Sequence, residues 1–490
     1  MARKKVAEAL DERLSTVVGY YERSAEVSRD GRLKAERDRD FYNGAQSTAE
    51  ENATLRARGQ EVTIRNRIKP KIDSLKGVEQ AGRTDPRANP RTPMDDGAAN
   101  ACTDAIRFVF DSEDFSQKRT EVFENILIEG CGGAVVEVDA KQNVKIRYIP
   151  WDRMFADPHS RLRDYRDAKY KGIVLWLDES DAKVMWPKQA EAVLEQSWAE
   201  YGEGRTYDDK PLHQQWVDGK RKRVKVVEIY YREAGVWTYC VFTKAGFLVE
   251  PQRSSYLDED GEPECPIEFT SCHVDRDNDR YGLVRQLVGP QIEVNHRAWK
   301  ALHRMTQQQT IAERGAVADI QKWKKEQAKP NGFLEITPGM KAEIRDNQQL
   351  TVFEMQMLEE AKREIDSVGA NSAVQGKGEA ESGKALQMRR QAGLTETGTA
   401  FDALRQWQKA MAVQTWHRVK QYWTAERWVR VTDDDRVVRF VGLNIAGPDG
   451  KKQNDVSRMD VDIVLDDVPD VATAQQEEFT MLAEAYKANP

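Results

Sequence analysis

No proline occurs between Pro338 and Pro448, so nothing of that kind interrupts helices across more than a fifth of the 490-residue chain. Long apolar runs are missing too. Runs such as Ile126 to Ile128 and Ala134 to Val136 fall far short of the ~20 residues a membrane-spanning helix needs. The N-terminus, MARKKVAEALDERL, has no apolar signal core; Val6, Leu10, Leu14 and Val17 instead mark a helical stripe. Cysteines are few, odd in number and scattered: Cys102, Cys131, Cys240, Cys265 and Cys272. No C-x-x-C is present. Cys265, Cys272 and His273 come nearest to a metal site but lack the paired spacing of zinc ligands. We read free, reduced thiols of a cytoplasmic chain, with no metal and no cofactor. The six histidines are dispersed, and no Ser/His/Asp set or paired acid and base follows from spacing. Positive charge is also in deficit, with a net charge of −7 and a pI near 5.7, which excludes a strongly basic nucleic-acid clamp. Mean hydropathy of −0.74 is low for one compact globule and suits helices that spread polar faces over partners.

The most informative segment is Leu350 to Arg427, a helix, a loop of small residues and a long helical pattern. Leu358, Ala361, Ile365 and Val368 share one stripe of the first helix. The loop, Ala370 to Lys384, has no aromatic residue and three glycines, so it builds no core of its own. Leu386, Phe401, Leu404, Met411, Val419 and Tyr422 follow. A continuous helix from Lys384 to Glu426 would be roughly 65 Å long at about 1.5 Å per residue, with a kink expected near Gly393 or Gly398. A loop between two long helices reads as a machine part rather than a catalytic pocket.

The remainder is an α+β body. Residues 1 to about 45 read as helices ending at Asn43-Gly44, and 65 to 82 as another with Ile68, Ile72 and Leu75 on one face. Asp85 to Pro93 must be extended or loop. Helices are expected over Ala98 to Phe110 and Phe115 to Glu129, and a hairpin from Ala134 to Ile149 after Gly130-Cys-Gly-Gly133. Strand patterns recur at Gly172 to Leu177, Val224 to Tyr231, Val236 to Phe242, Trp428 to Val431, Val437 to Val441 and Val461 to Leu465. From Leu287 a stripe of Leu287, Val294, Ala298, Ala301 and Met305 marks a helix that leaves the body. Residues 309 to 349 form a small insert, with a basic helix from Ile320 to Lys329 and a strand-like Phe333 to Ile336. Ala472 to Ala488 reads as a terminal helix.

Several segments resemble portal proteins of tailed double-stranded-DNA phages, in particular the large portals of short-tailed, podovirus-type phages. The motifs are Arg39-Asp40-Phe41-Tyr42-Asn43-Gly44-Ala45-Gln46, Asn66-Arg67-Ile68-Lys69-Pro70 with Ile72 to Gly77 and Arg83-Thr84-Asp85-Pro86-Arg87, Pro150-Trp151-Asp152 with Asp157-Pro158-His159-Ser160, and Tyr281-Gly282 with Gln291-x-Glu293-x-Asn295. Ser47 stands where the family usually carries Trp. The resemblance implies a mainly helical α+β portal fold in a ring of usually twelve subunits at one capsid vertex. Its parts would be a wing (1–280 and 426–470), a stem (281–308 and 350–369), a clip (309–349), a tunnel loop (370–384), a long kinked wing helix (385–425) and a short crown from 471. A longer crown would extend beyond this chain. It further implies duplex DNA passing along the axis and contacts with terminase, tail or adaptor proteins, and major capsid or scaffolding protein, in the virion and in host cytoplasm during assembly.

Residue roles follow as expectations. Gln375, Gly376, Lys377, Gly378, Glu379, Glu381 and Lys384 would line the channel. Lys322, Trp323, Lys324, Lys325 and Lys329 would form a partner surface on the clip, although packing of Trp323 inside the insert reads equally well. Lys220-Arg221-Lys222-Arg223 reads as a solvated turn. Trp407, Trp416 and Trp423 read as core or ring interface. Gly378 to Ala385 nearly spells a phosphate loop, but Ala385 offers no hydroxyl to magnesium and no buried strand precedes it. Two alternatives stay open: an NTPase of the packaging machinery, and a helical scaffold or adaptor through which no DNA passes.

Overall fold

A computed structural model describes residues 2–90, 96–187, 190–201, 215–219, 221–306, 309–327, 329, 331–345, 348–367, 397–432, 438–446, 452–459 and 461–465. Helices and sheets both contribute, as an α+β chain requires. The elements run α1 (Ala2–Val27), α2 (Arg29–Asn43), α3 (Ala49–Ala57), α4 (Ile68–Ala81), β1 (Pro86–Pro90), α5 (Asp96–Ser112), α6 (Phe115–Ile128), β2 (Cys131–Val138), β3 (Val144–Ile149), β4 (Met154–Ala156), β5 (Tyr170–Asp178), α7 (Glu179–Met185) and α8 (Ala190–Tyr201). Next come β6 (Val217–Asp218), β7 (Arg223–Glu233), β8 (Val236–Thr243), β9 (Gly246–Arg253), β10 (Ile267–Ser271), β11 (His273–Val274) and β12 (Arg280–Tyr281). Then follow α9 (Val284–Thr306), β13 (Gln309–Ala312), α10 (Ile320–Gln327), β14 (Ala342–Arg345), α11 (Gln348–Ser367) and α12 (Gly398–Tyr422). The last strands are β15 (Arg427–Thr432), β16 (Val438–Leu443), β17 (Ile445–Ala446), β18 (Lys452–Gln453) and β19 (Val461–Leu465).

The chain divides into two compact units. One comprises residues 1–39, 71–285 and 391–490; the other comprises 40–70 and 286–390. The first is built on an antiparallel sheet ordered β4-β5-β7-β8-β9, with β6 beside β7, and a second sheet ordered β10-β2-β3. Strand β7 carries apolar residues on both faces between Val224 and Tyr231. Val227, Ile229 and Tyr231 pack with Val17, Val18 and Tyr21 of α1. Val224 and Val226 pack with Ala182 of α7 and Leu194 of α8, and Tyr230 joins Val135, Ile267 and Phe269 of the second sheet. A strand covered on both faces loses the apolar–polar alternation of a half-exposed one. Two glycines mark close backbone approach. A Cβ on Gly130 (φ +95°) would lie 2.1 Å from the Tyr281 carbonyl carbon, and one on Gly282 would lie 2.3 Å from the Leu127 oxygen. Gly130-Cys-Gly-Gly133 and Tyr281-Gly282 are thus two sides of one packed turn.

The stretch read as extended or loop is extended over Pro86 to Pro90, a strand paired antiparallel with Val461 to Leu465; a two-stranded ladder has free edges on which prolines lose no bond. Differences from the sequence reading have local causes. Phe333 to Ile336 is not a strand, and the insert's ladder is formed instead by β13 and β14. The capped helix α3, the pair α7 and α8 and strand β9 carry no pronounced apolar period and were not expected. The helix α12 begins at Gly398; Gly393 and the preceding part of the long helical pattern lie outside the described residues.

Candidate functional site

The second unit begins with a set of polar brackets. Asn66 stands just before α4, and its Oδ1 accepts from the amides of Ile68 (3.0 Å) and Lys69 (3.1 Å). This is the capping bond that an Asn before a helix supplies. Its Nδ2 donates to the Tyr42 carbonyl at 2.9 Å. Gln291 and Asn295 are fully buried on one face of α9. The Gln291 Oε1 accepts from the Arg67 amide (3.0 Å) while its Nε2 donates to the Arg65 carbonyl (2.9 Å). The Asn295 Oδ1 accepts from the Arg65 amide (3.1 Å), and its Nδ2 donates to the Gln46 Oε1 (2.8 Å). The Trp299 indole donates to the Thr63 carbonyl at 2.8 Å. An extended segment with no ladder of its own is thereby satisfied by side chains. These bonds give a physical reason for the Gln291-x-Glu293-x-Asn295 and Asn66-to-Pro70 motifs, which reach each other across more than two hundred residues.

Glu354 joins the two long helices of this unit. It is 4% exposed, and its carboxylate lies 3.0 Å from Lys300 Nζ, 3.5 Å from Arg304 and 4.0 Å from Arg297. Leu358, Ala361 and Ile365 follow on the same face of α11 and are buried. Val294, Ala298 and Ala301 are buried on α9. Both expected stripes are present, Val368 lying outside the described residues. The stripe of α9 nevertheless outruns its cover, because Met305 is 61% exposed.

The insert between them has a small core. Trp323 is 7% exposed, its indole donates to Thr310 Oγ1 at 3.3 Å, and that hydroxyl donates to Gln327 Oε1 at 3.0 Å. Asp319 caps α10 through the amides of Gln321 (2.8 Å) and Lys322 (3.0 Å). The structure therefore puts the Trp323 ring inside the insert, and only the basic residues around it face outward. Lys322, Lys324, Lys325 and Lys329 are exposed, and Lys329 pairs with Glu326 at 2.6 Å. That hydrogen bond holds the Glu326 carboxyl below its ordinary pKa. Gly332 admits no side chain, since a Cβ would lie 1.7 Å from the Glu326 carbonyl oxygen. The tight turn displays Phe333, 77% exposed, on the same module as Ile320 at 63%. Sequence reasoning missed Phe333 as a surface residue; its place directly after Asn331-Gly332 was the available signal.

A family model described as phage P22-like portal protein matches residues 18–235 and 232–490. The chain belongs to that family. It is also similar to the portal protein of Helicobacter pylori bacteriophage KHP30, at 18% identity over 420 residues, covering 82% of this chain and 66% of that protein. The chain thus spans just under two thirds of that relative's length. Portal proteins are structural components of the phage virion.

The buried charges of this portal chain serve packing. Lys225, 1% exposed, donates to the Tyr21 hydroxyl at 3.1 Å within a cage of Tyr21, Trp176 and Trp216 rings whose centroids lie 5.2 to 5.3 Å away. Burial lowers its pKa to about 7, helped by the charge of Arg153. Glu129 is pushed up to about 7 by burial, against the opposing pull of its bonds to Arg39. Arg418, fully buried, donates to Glu264 and to the Leu257 carbonyl and stacks on Tyr256. A cleft of about 110 Å³ is lined by Arg32, Trp151, Tyr165 and Arg280 among others. Both arginines spend donors on backbone carbonyls, Arg32 on Asp152 and Met154, Arg280 on Asn278, Ser160 and Leu162. Trp407, Trp416 and Trp423 are core residues, at 2%, 5% and 3% exposure. Lys222 and Arg223 close the β6–β7 turn, Arg223 pairing with Asp178.

Among the described residues no group of His, Cys, Asp or Glu could hold a metal ion, and no helix is long and apolar enough to cross a membrane. All their strand pairings are antiparallel. Strand β19, with Ile463 to Leu465, pairs with β1, not within the parallel sheet that a phosphate loop serves. Gln375, Gly376, Lys377, Gly378, Glu379, Glu381 and Lys384, with the near phosphate loop and residues 466–490, lie outside the described residues.

Proposed function

We propose that this portal-family chain assembles into a closed ring at one capsid vertex and conducts duplex DNA during packaging and ejection. The observation that carries the reading is where uncovered apolar side chains fall. Ile292, Leu302, Met305, Ile311, Ile320, Phe333, Ile336, Met340, Ile344, Val352, Phe353 and Met355 are all 36% or more exposed. They are twelve of the nineteen large apolar residues exposed among the described residues, and all twelve fall between residues 292 and 355. Soluble monomers rarely expose contiguous apolar patches beyond a few hundred Å², and neighbouring copies in a ring would supply the cover. A net charge of −7 per subunit suits a conduit, since each neutralised phosphate would add a salt-dependent grip that opposes sliding.

In this reading α9 and α11 are the stem and residues 309–349 the clip. Residues 370–384 are the tunnel loop, the first unit is the wing, and a crown starts near 471. The clip offers Lys322, Lys324, Lys325, Lys329 and Phe333 to terminase during packaging and to tail or adaptor proteins afterwards. Twelve subunits are expected, with major capsid or scaffolding protein around the wing. Light scattering and negative-stain images of the purified chain test the reading. The expected result is a ring with a central hole of roughly 20 Å or more, wide enough for duplex DNA; a stable monomer at micromolar concentration overturns it.

A further inference from the structure

We infer that the cleft between α1, α2 and the turn before β12 is a binding site for an uncharged, ring-sized molecule that carries one hydrogen-bond acceptor. Its whole lining belongs to the first unit, so the inference holds whether or not the chain forms a ring. The walls meet by close approach: a Cβ on Gly31 of α2 would lie 2.6 Å from an Asp279 carboxylate oxygen. Trp151, Met154, Phe155, Tyr165 and Phe269 make much of the lining apolar. A closed apolar cavity of about 150 Å³ takes a benzene ring. This cleft of about 110 Å³ has Val27, 53% exposed, on its rim, and takes a ring whose substituent stays in the mouth. Burial raises the Cys131 thiol to about 11 and the Glu129 carboxyl to about 7, as a water-poor floor requires.

The charges on the lining offset one another. Arg32 and Arg280 stand against Glu129, Asp157, Asp277 and Asp279. Arg39 binds Glu129 at 2.5 and 3.0 Å, and Lys34 lies 3.8 Å from Asp279, which brings the local sum to zero. Arg276 beside Asp277 is 94% exposed, where water screens it. An anion would therefore meet carboxylates and a cation would meet arginines. One donor stays open within this neutral lining. Arg32 spends its donors on the Ser28 hydroxyl (3.1 Å) and the carbonyls of Asp152 and Met154. Arg280 stacks on the Tyr165 ring at 4.4 Å, and its terminal nitrogens donate to the carbonyls of Asn278, Ser160 and Leu162. Its Nε is buried and has no acceptor. A buried donor left unmet costs free energy, so a ligand oxygen that accepts there relieves a cost the free protein carries.

Cys131 makes the test site-specific. It lines the cleft and is half-buried, whereas the other four cysteines are buried. Its alkylation by N-ethylmaleimide at pH 9 is followed in the full chain by mass spectrometry of the peptide that carries it. The probes are acetophenone, isopropylbenzene (a methyl group in place of the carbonyl oxygen) and benzoate. Acetophenone should protect Cys131 with an apparent Kd at least tenfold below that of isopropylbenzene, and benzoate should not protect it. Arg280→Lys keeps the charge, removes the Nε donor and should erase the tenfold preference. Equal protection by acetophenone and isopropylbenzene would overturn the inference, as would protection by benzoate or a preference that survives Arg280→Lys. So would a thiol that no probe protects, or one the reagent never reaches. If Arg280→Lys fails to fold, the three probes on the unaltered chain decide alone.

Discussion

The Lys225 ammonium donates to the Tyr21 hydroxyl at 3.1 Å, and this bond ties α1 to the centre of the largest sheet. The folded pKa of Lys225 is about 7, below the ordinary 10.5. Between those values the unfolded chain binds a proton that the folded chain does not. Stability therefore rises with pH across that window, by at most about 1.4 kcal/mol per pH unit from this group. Below pH 7 both states are protonated and the full cost of the buried charge remains. Lys225→Met removes that cost. Its gain in thermal midpoint over the parent chain should be greatest at pH 6 and shrink towards pH 9. A gain independent of pH would show that Lys225 keeps its proton in the fold up to pH 9, so that burial does not lower its pKa. The comparison must be between chains, because Cys240, Cys265 and Cys272, raised by burial, contribute the opposite slope at the upper end.

Asn295→Ala deletes both ends of a bracket at a fully buried position. The Arg65 amide loses its acceptor and the Gln46 side chain its donor. An unsatisfied buried group costs about 1–3 kcal/mol. Hydrogen exchange of Arg65 and Arg67 should accelerate strongly, while exchange in β7 and β8 of the other unit stays unchanged. Uniform acceleration throughout the chain would mean that the bracket supports the whole fold and not this segment.

Trp323 and its neighbouring lysines should separate cleanly. Truncating a buried tryptophan costs about 3–5 kcal/mol, more than so small a core can lose. Trp323→Ala should therefore expose residues 309–345 to limited proteolysis. Lys324→Glu with Lys325→Glu should leave the insert protected and weaken binding of terminase or a tail adaptor at least tenfold. If the lysine changes leave binding intact and Phe333→Ala abolishes it, the apolar tip carries recognition and charge does not.

Much of this molecule could be read before its structure. Elements with a strong period were legible, as with Ile68, Ile72 and Leu75 on α4, and so was the β-branched and aromatic run from Val224 to Tyr231 on β7. The order in which the chain leaves an α+β body and returns was legible too. What period cannot show is which half of a stripe its own subunit covers: Ala301 and Met305 look alike in sequence, yet one is buried and the other bare. Nor does spacing show long-range polar brackets, because Gln291 and Arg67 are adjacent only in the fold. Trp323 was ambiguous for a related reason. An aromatic residue among lysines reads the same whether its ring is displayed or buried under their stems.

In the ring reading, with no complete phosphate loop in the sequence, purified rings should not turn over ATP, and a separate motor would supply the energy for packaging. The measurement is phosphate release with and without duplex DNA. Turnover that Lys384→Ala abolishes would promote the NTPase reading over the conduit.

The stretch Ala370 to Lys384 carries the most function per residue in the ring reading. Its sequence has three glycines and no aromatic residue, and it comes shortly after α11 along the chain. Around a ring axis its copies would form the narrowest part of the channel. Lys377 and Lys384 offer brief phosphate contacts, while Glu379 and Glu381 oppose lasting ones. Near balance favours guiding or retaining DNA over gripping it. Deleting Gln375 to Ser382 should leave ring assembly unchanged by scattering and impair packaging or retention of the genome, read as DNA content per particle. Phage that carry the deletion and still hold full-length genomes at normal yield would reduce this stretch to a linker.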